Sequence, residues 1–269
     1  MRPSLTRGSL RPVWTRFREL DEVLRQLVTG VREVLGGNLV GVYLQGSFAV
    51  GDADVWSDAD FIVVTRTPLE DLDRPALDAL HHRLFALPGH WPKHLEGSYI
   101  DRELLRRSDS ARTKLLFLCH GSQELAWDDH CNTGYVRWVL REHGIALTGP
   151  PTAELVDPVT ADILREEGWA RLPEWVGWAF ESAEMSRWKQ PFLVLTLCRI
   201  LHTIETGTVV SKRVAGEWSM ATLELEWGPL IQRALDDRPN PKERVRQRAS
   251  PADVEQTRAF VRYASSWRS

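Results

Sequence analysis

The sequence predicts an α+β protein in two parts: a mixed β-sheet domain over residues 1–150 and a bundle of helices over 151–269. Three observations carry that reading. Short apolar runs alternate with amphipathic stretches through the first part. Gly149-Pro150-Pro151 then breaks the chain. Beyond that break only helix-like patterns recur.

The elements follow in order. Residues 15–35 read as a helix, with Leu20, Val23, Leu24, Leu27 and Val31 on one face and Gly36-Gly37 as the stop. Residues 39–44 form a short apolar run suited to a buried strand. A glycine-bearing turn leads to a second strand over 60–65. Residues 69–87 are helical and closed by Pro88-Gly89; 95–100 and 115–119 are further strands, and 132–143 is a helix. In the second part Asp157-Pro158 suits an N-cap followed by N1. Helices are expected over 159–170, 173–188, 191–206, 212–220, 222–237 and 251–267. The last opens with Ser250 at N-cap, Pro251 at N1 and Asp253 at N3.

Composition narrows the function classes. With 43% apolar and 26% charged residues, the 269-residue chain has the balance of a soluble protein. No apolar run approaches the ~18 residues that a membrane span needs. The formal charge of −3 gives no basic excess for nucleic-acid phosphates. Three widely spaced cysteines without C-x-x-C speak against a disulfide framework or structural zinc, and suit a reducing cytoplasm. Arg2, Arg7, Arg11 and Arg16 precede the first helix without an apolar core for a secretory signal, so a frayed basic arm is expected. The 12 Trp against 4 Tyr stand out, and seven of those Trp lie beyond residue 151, where helix packing accounts for most.

The chemistry concentrates in residues 44–64, LQGSFAVGDADVWSDADFIVV. One strand ends in Gly46-Ser47, and Asp58-x-Asp60 runs into the next. Gly46 lets backbone approach a phosphate closely, and Ser47 offers a hydroxyl and an amide. In an extended segment, residues two apart point to one side, so Asp58 and Asp60 form a carboxylate pair that repels unless a cation lies between. Oxygen-only ligands select hard Mg²⁺, which also takes phosphate oxygens. A bare D-x-D is also ordinary turn chemistry; the Gly-Ser strand end and the apolar strand that follows make the pattern specific. His90 and His94 are four apart, but Pro92 between them speaks against a helical metal pair. Walker A, G-x-G-x-x-G and G-x-S-x-G patterns are absent.

This pattern resembles the nucleotidyltransferase superfamily that includes DNA polymerase beta. The stretch Leu193-Val194-Leu195-Thr196-Leu197-Cys198-Arg199-Ile200, with Thr206-Gly207, Ser211-Lys212 and Glu217-Trp218, resembles the helical C-terminal domain of the streptomycin/spectinomycin adenylyltransferases. Residues 143–150, HGIALTGP, resemble the join between their domains. The resemblance runs from about residue 20 to 265 and implies an N-terminal nucleotidyltransferase domain followed by a helical C-terminal domain. It implies Mg²⁺-dependent transfer of AMP from ATP to a hydroxyl. It also implies a third carboxylate on a later strand, acting as general base and metal ligand. Glu96 in His94-Leu95-Glu96-Gly97-Ser98 matches that place, with Asp101 as the alternative. Gly46, Ser47, Arg199 and Lys212 match nucleotide contacts, with ATP between the domains.

The acceptor side departs from the family. Its drug-binding acids fall here near Met185 and Lys189; Glu181 and Glu184 are the nearby acidic candidates. Trp178 or Trp188 would supply the aromatic face, and Trp127 is a further acceptor candidate in a loop near the cleft. The resemblance implies a small hydroxylated, cationic acceptor, foremost an aminoglycoside antibiotic, and a cytoplasmic enzyme with no nucleic-acid or membrane partner. A monomer is expected, because one chain supplies the whole cleft. The alternatives are adenylylation of a non-drug or protein acceptor, and a non-catalytic nucleotide-binding protein.

Overall fold

The computed structural model describes residues 12–181, 185–238 and 246–267. The first part carries β1 (Leu39–Leu44), β2 (Ala59–Thr65), β3 (Leu95–Asp101), β4 (Leu115–Leu118), β5 (Leu125–Asp128) and β6 (Ile145–Thr148). They form one sheet in the order β5-β4-β3-β2-β1-β6. Only β2 and β3 run parallel; the other neighbours are antiparallel.

Strand period two sorts the side chains. Val42, Leu44, Phe61 and Val63 join one core layer with Leu20, Leu24 and Leu27 of α1 (Arg18–Leu35) and Leu77 and Leu80 of α3 (Arg74–Phe85). Tyr43, Ile62 and Val64 face the other way, toward Leu140 of α5 (Gly134–His143) and Leu155 of α6 (Thr152–Leu155). A single helical turn, α2 (Gly46–Ala49), follows β1, and α4 (Arg102–Arg106) follows β3.

From residue 161 the described chain is helical: α7 (Ala161–Glu181), α8 (Lys189–Thr206), α9 (Lys212–Thr222), α10 (Gly228–Asp237) and α11 (Pro251–Ser265). Leu193, Leu197 and Leu201 on α8 are wholly buried, as are Ile231 on α10 and Phe260 on α11; all belong to one core. Among the described residues no helix is long and apolar enough to cross a membrane.

Several elements differ from expectation. Met185–Trp188 are not helical, and the segments expected as two helices, over 159–170 and 173–188, are joined through Pro173 in one helix described over Ala161–Glu181. Its N-cap is Thr160, whose hydroxyl accepts from the Ile163 amide at 3.3 Å. Asp157 is not a cap: its carboxylate meets Arg106 at 3.4 Å and Arg107 at 3.5 Å. The helix expected from 222 begins at Gly228, after a 3₁₀ turn over Leu225–Trp227. Thr133 caps α5, so that helix starts two residues late. The Ser250 cap is present, its hydroxyl accepting from the Asp253 amide at 3.1 Å.

Candidate active site

Asp60 and Glu96 lie directly across from each other in the parallel β2–β3 register. Asp60 shares the strand face of Ile62 and Val64, and Glu96 that of Ile100, away from the α1–α3 layer. Asp58 lies two residues before Asp60, at the mouth of the same strand. The three carboxylates line one cavity of about 370 Å³ between the sheet and the helices.

Electrostatics mark this corner. Burial pushes the Asp60 carboxyl well above the usual carboxylate range, reinforced by the Glu96 and Asp58 charges and opposed by Lys212 and Arg199. Glu96 rises to about 7 through burial and the Asp58 charge, against the His120 N–H and Lys212. That amide donates to Glu96 Oε2 at 3.2 Å. Asp58 behaves oppositely: burial raises it, but hydrogen bonds from His120 and His94 prevail and hold it down at about 2. Burial and mutual repulsion thus push two of the three carboxyls up while hydrogen bonds hold the third down, a separation suited to proton chemistry.

Gly46 follows β1 with φ of +61°, and a Cβ there would stand 2.0 Å from Asp60 Oδ2. The glycine is therefore required by the carboxylate at its back, a tighter constraint than the approach to phosphate that the motif suggested. Gly46 and Ser47 both line the cavity. Arg199 of α8 and Lys212 at the start of α9 face the carboxylates from the helical side. Burial draws the Lys212 ammonium down to about 8, with Arg199 and Arg238 adding to the effect and Asp58 and Asp60 opposing it. Lys212 Nζ lies 4.0 Å from the Phe192 ring centre. The loop between α2 and β2 is tied to the helices by Arg213 to Asp52 at 2.8 Å and Arg238 to Asp54 at 3.6 Å.

The aromatic candidates separate. Trp127 is on strand β5, not in a loop by the cleft, and packs on the α1–α3 side of the sheet. Its indole N–H donates to Asp71 at 2.7 Å, so it does not reach the cavity. Trp175, Trp188 and Phe192 form the cavity wall. Trp178 stands behind them, 5.8 Å from Trp175 and 6.3 Å from Trp188 between ring centres. Lys189 donates to the Trp178 carbonyl at 2.6 Å. Met185 is buried in the helical core. Glu184 lies outside the described residues, and Glu181 is described only as the last residue of α7. Asp101 caps α4 by accepting from the Glu103 and Leu104 amides, which removes it as the third carboxylate of this corner.

Sequence reasoning passed over Arg171, Trp175, His130 and Arg238 on the wall and His120 against Asp58, and the Pro92 argument set His94 aside as a ligand.

Comparison with known proteins agrees with this arrangement. Residues 24–109 match the nucleotidyltransferase domain, and residues 154–266 match the C-terminal domain of aminoglycoside adenylyltransferase. The aminoglycoside (3'') (9) adenylyltransferase of Shigella flexneri is 27% identical over 91% of this chain and 93% of that protein. The spectinomycin 9-adenylyltransferase of Staphylococcus aureus is 28% identical over 75% and 78%. The fold matches the crystal structure of spectinomycin adenyltransferase AAD(9) from Enterococcus faecialis with ATP and spectinomycin. That match has a TM-score of 0.67 at 17% identity and covers 91% of this chain and 98% of the other. The two family segments, one on the carboxylate strands and one on the helices that face them, mark this chain as an aminoglycoside adenylyltransferase-like nucleotidyltransferase.

Proposed function

We propose that the chain transfers AMP from ATP to a hydroxyl of a small, cationic acceptor of the aminoglycoside type, in a Mg²⁺-dependent reaction. One observation carries the proposal: Asp60 and Glu96 are cross-strand neighbours, with Asp58 beside them, facing Arg199 and Lys212 over a single cavity. Carboxylates crowded enough to hold their protons are a donor set that fits a hard divalent cation. Asp58, Asp60 and Glu96 would hold it, and when bound it supplies charge neutralisation at the triphosphate and the attacking oxygen.

The chain's own groups do the rest. Arg199 and Lys212 bind triphosphate oxygens, and Gly46 and Ser47 bound the same pocket on the sheet side. Glu96 accepts the proton of the acceptor hydroxyl as its oxygen bonds to the α-phosphorus and the bond to pyrophosphate breaks. Trp175 and Trp188 offer flat faces to a sugar ring or an ammonium group. A cavity of this size, with Trp175, Trp188 and Phe192 on one wall, favours a small molecule over a protein side chain as acceptor.

The test is mass spectrometry of an aminoglycoside and aminocyclitol panel after incubation with Mg-ATP. An AMP adduct on a drug, with release of pyrophosphate, is the expected result. An adduct found only on protein, or ATP binding without pyrophosphate release, overturns it. EDTA-treated protein that turns over normally overturns the metal dependence.

A further inference from the structure

We propose that Asp58, His94 and His120 form a second metal site, behind the carboxylate cluster and selective for a borderline divalent cation of which Zn²⁺ is the probe. The fold brings the three together from strand ends. His94 immediately precedes β3, and its carbonyl accepts from the Ala59 amide at 2.8 Å, which fixes it beside Asp58. His120 follows β4 by two residues, and the antiparallel pairing of Gly97 with Leu118 returns it to the same end of the sheet. Both Nδ1 atoms address one oxygen, Asp58 Oδ1: His120 in direct contact, and His94 at 3.7 Å.

The three donor atoms lie within 4.8 Å of one another. Metal–nitrogen and metal–oxygen bonds of about 2.0 Å place tetrahedral ligands roughly 3.3 Å apart, so small side-chain adjustments suffice. Two imidazoles and one carboxylate suit zinc, cobalt or nickel, whereas Mg²⁺ prefers oxygen donors. The rings are also held. His90 stacks on His94 at 3.7 Å between ring centres, and His94 meets His120 edge-on at 4.9 Å. Asp58 lines the cavity and the two histidines do not, so the nitrogen donors stand outside its wall. A cation held there shares Asp58 with the carboxylate cluster and competes with Mg²⁺ for it.

The site is tested without any turnover, by zinc retention. The full chain is stripped with EDTA, incubated with Zn²⁺ in millimolar Mg²⁺, desalted and analysed for metal. One zinc per chain is expected, and Co²⁺ in its place gives the visible absorption of a low-coordinate nitrogen–oxygen site. His120→Ala, at a partly exposed side chain, and His94→Gln should each weaken zinc binding by at least about a hundredfold, since even outer-shell changes cost 10–100-fold. Glu96→Gln and Cys119→Ser should leave stoichiometry unchanged. No retained zinc in the wild type overturns the proposal, as does retention that survives His120→Ala or is abolished by Cys119→Ser. If His94→Gln fails to fold, His120→Ala decides alone. AMP transfer plays no part in this assay, so a failure here leaves the proposed reaction standing.

Discussion

Arg137 and Arg199 sit in two regions of the molecule and put the same guanidinium to opposite use. Arg137, on α5 beneath the sheet, is 1% exposed. It donates to the carbonyls of Leu104, Leu105 and Thr133 and to Asn132 Oδ1, at 2.7 to 3.2 Å. Arg199 lies on α8 at the cavity wall, and its buried Nε has no hydrogen-bond partner among the described residues. Burial disfavours its charge, and Tyr135 and Asp60 are the groups that favour it. A satisfied buried cation ties loops together; an under-satisfied one held against a carboxylate cluster is the pattern of a binding site.

The largest expected effect is in the cluster that Arg199 faces. Asp60→Asn should lower adenylyl transfer by at least about a thousandfold, roughly 4 kcal/mol of lost transition-state stabilisation. Thermal stability should not fall, because burial and the Glu96 and Asp58 charges already disfavour the ionised form of Asp60 that the amide replaces. A variant that melts early would show that Asp60 is structural.

Next come the arginines themselves. Arg137→Ala leaves several buried acceptors unpaired and should cost about 3 kcal/mol of folding stability by chemical denaturation. Arg199→Ala should leave stability within about 1 kcal/mol while weakening ATP binding by roughly a hundredfold, as loss of a charge-assisted phosphate contact does. Equal destabilisation by both would dissolve the contrast.

A smaller effect reads Glu96 through pH. In metal-free protein the native state keeps the Glu96 proton up to about 7, against an ordinary value of 4.5. The native state therefore binds more protons in that window, and this contribution to stability is lost as pH rises through it. Glu96→Gln has no such loss. Its unfolding free energy relative to wild type should climb from pH 4.5 to 7 and then level off, at a gain on the order of 3 kcal/mol. A flat difference across that range would contradict the raised value. The smallest effect separates the tryptophans: Trp175→Ala should raise the acceptor KM about tenfold, and Trp127→Ala should leave it unchanged.

The two parts of the molecule were not equally legible. The pair β1–β2 and its Gly-Ser and Asp-x-Asp ends could be read because apolar strand, glycine and acid follow one another within 21 residues. Glu96 could be placed through the resemblance. β5 and β6 escaped because four-residue edge strands with polar or exposed members carry too little period to detect. Pro173 argued for a break in α7, yet burial of Leu172 and Ala179 in the helical core carries the helix through it. His120 was invisible for another reason: its meeting with Asp58, 62 positions away, depends on two successive strand pairings, β2 with β3 and β3 with β4. Trp127 had the right composition for an acceptor contact and the wrong face of the sheet.

The parallel register that sets Asp60 opposite Glu96 has a consequence for how such a site can arise and fail. A slip of one residue on either strand would send one carboxylate into the layer of Phe61 and Tyr99, and bring an apolar side chain to the reaction face. A slip of two restores the face but sets Asp60 across from Ser98, so the carboxylates no longer meet. Pairing of β2 with β3 thus acts as a proofreading step: the one-residue errors bury a charge and undermine their own stability, and only the native register assembles the acid cluster.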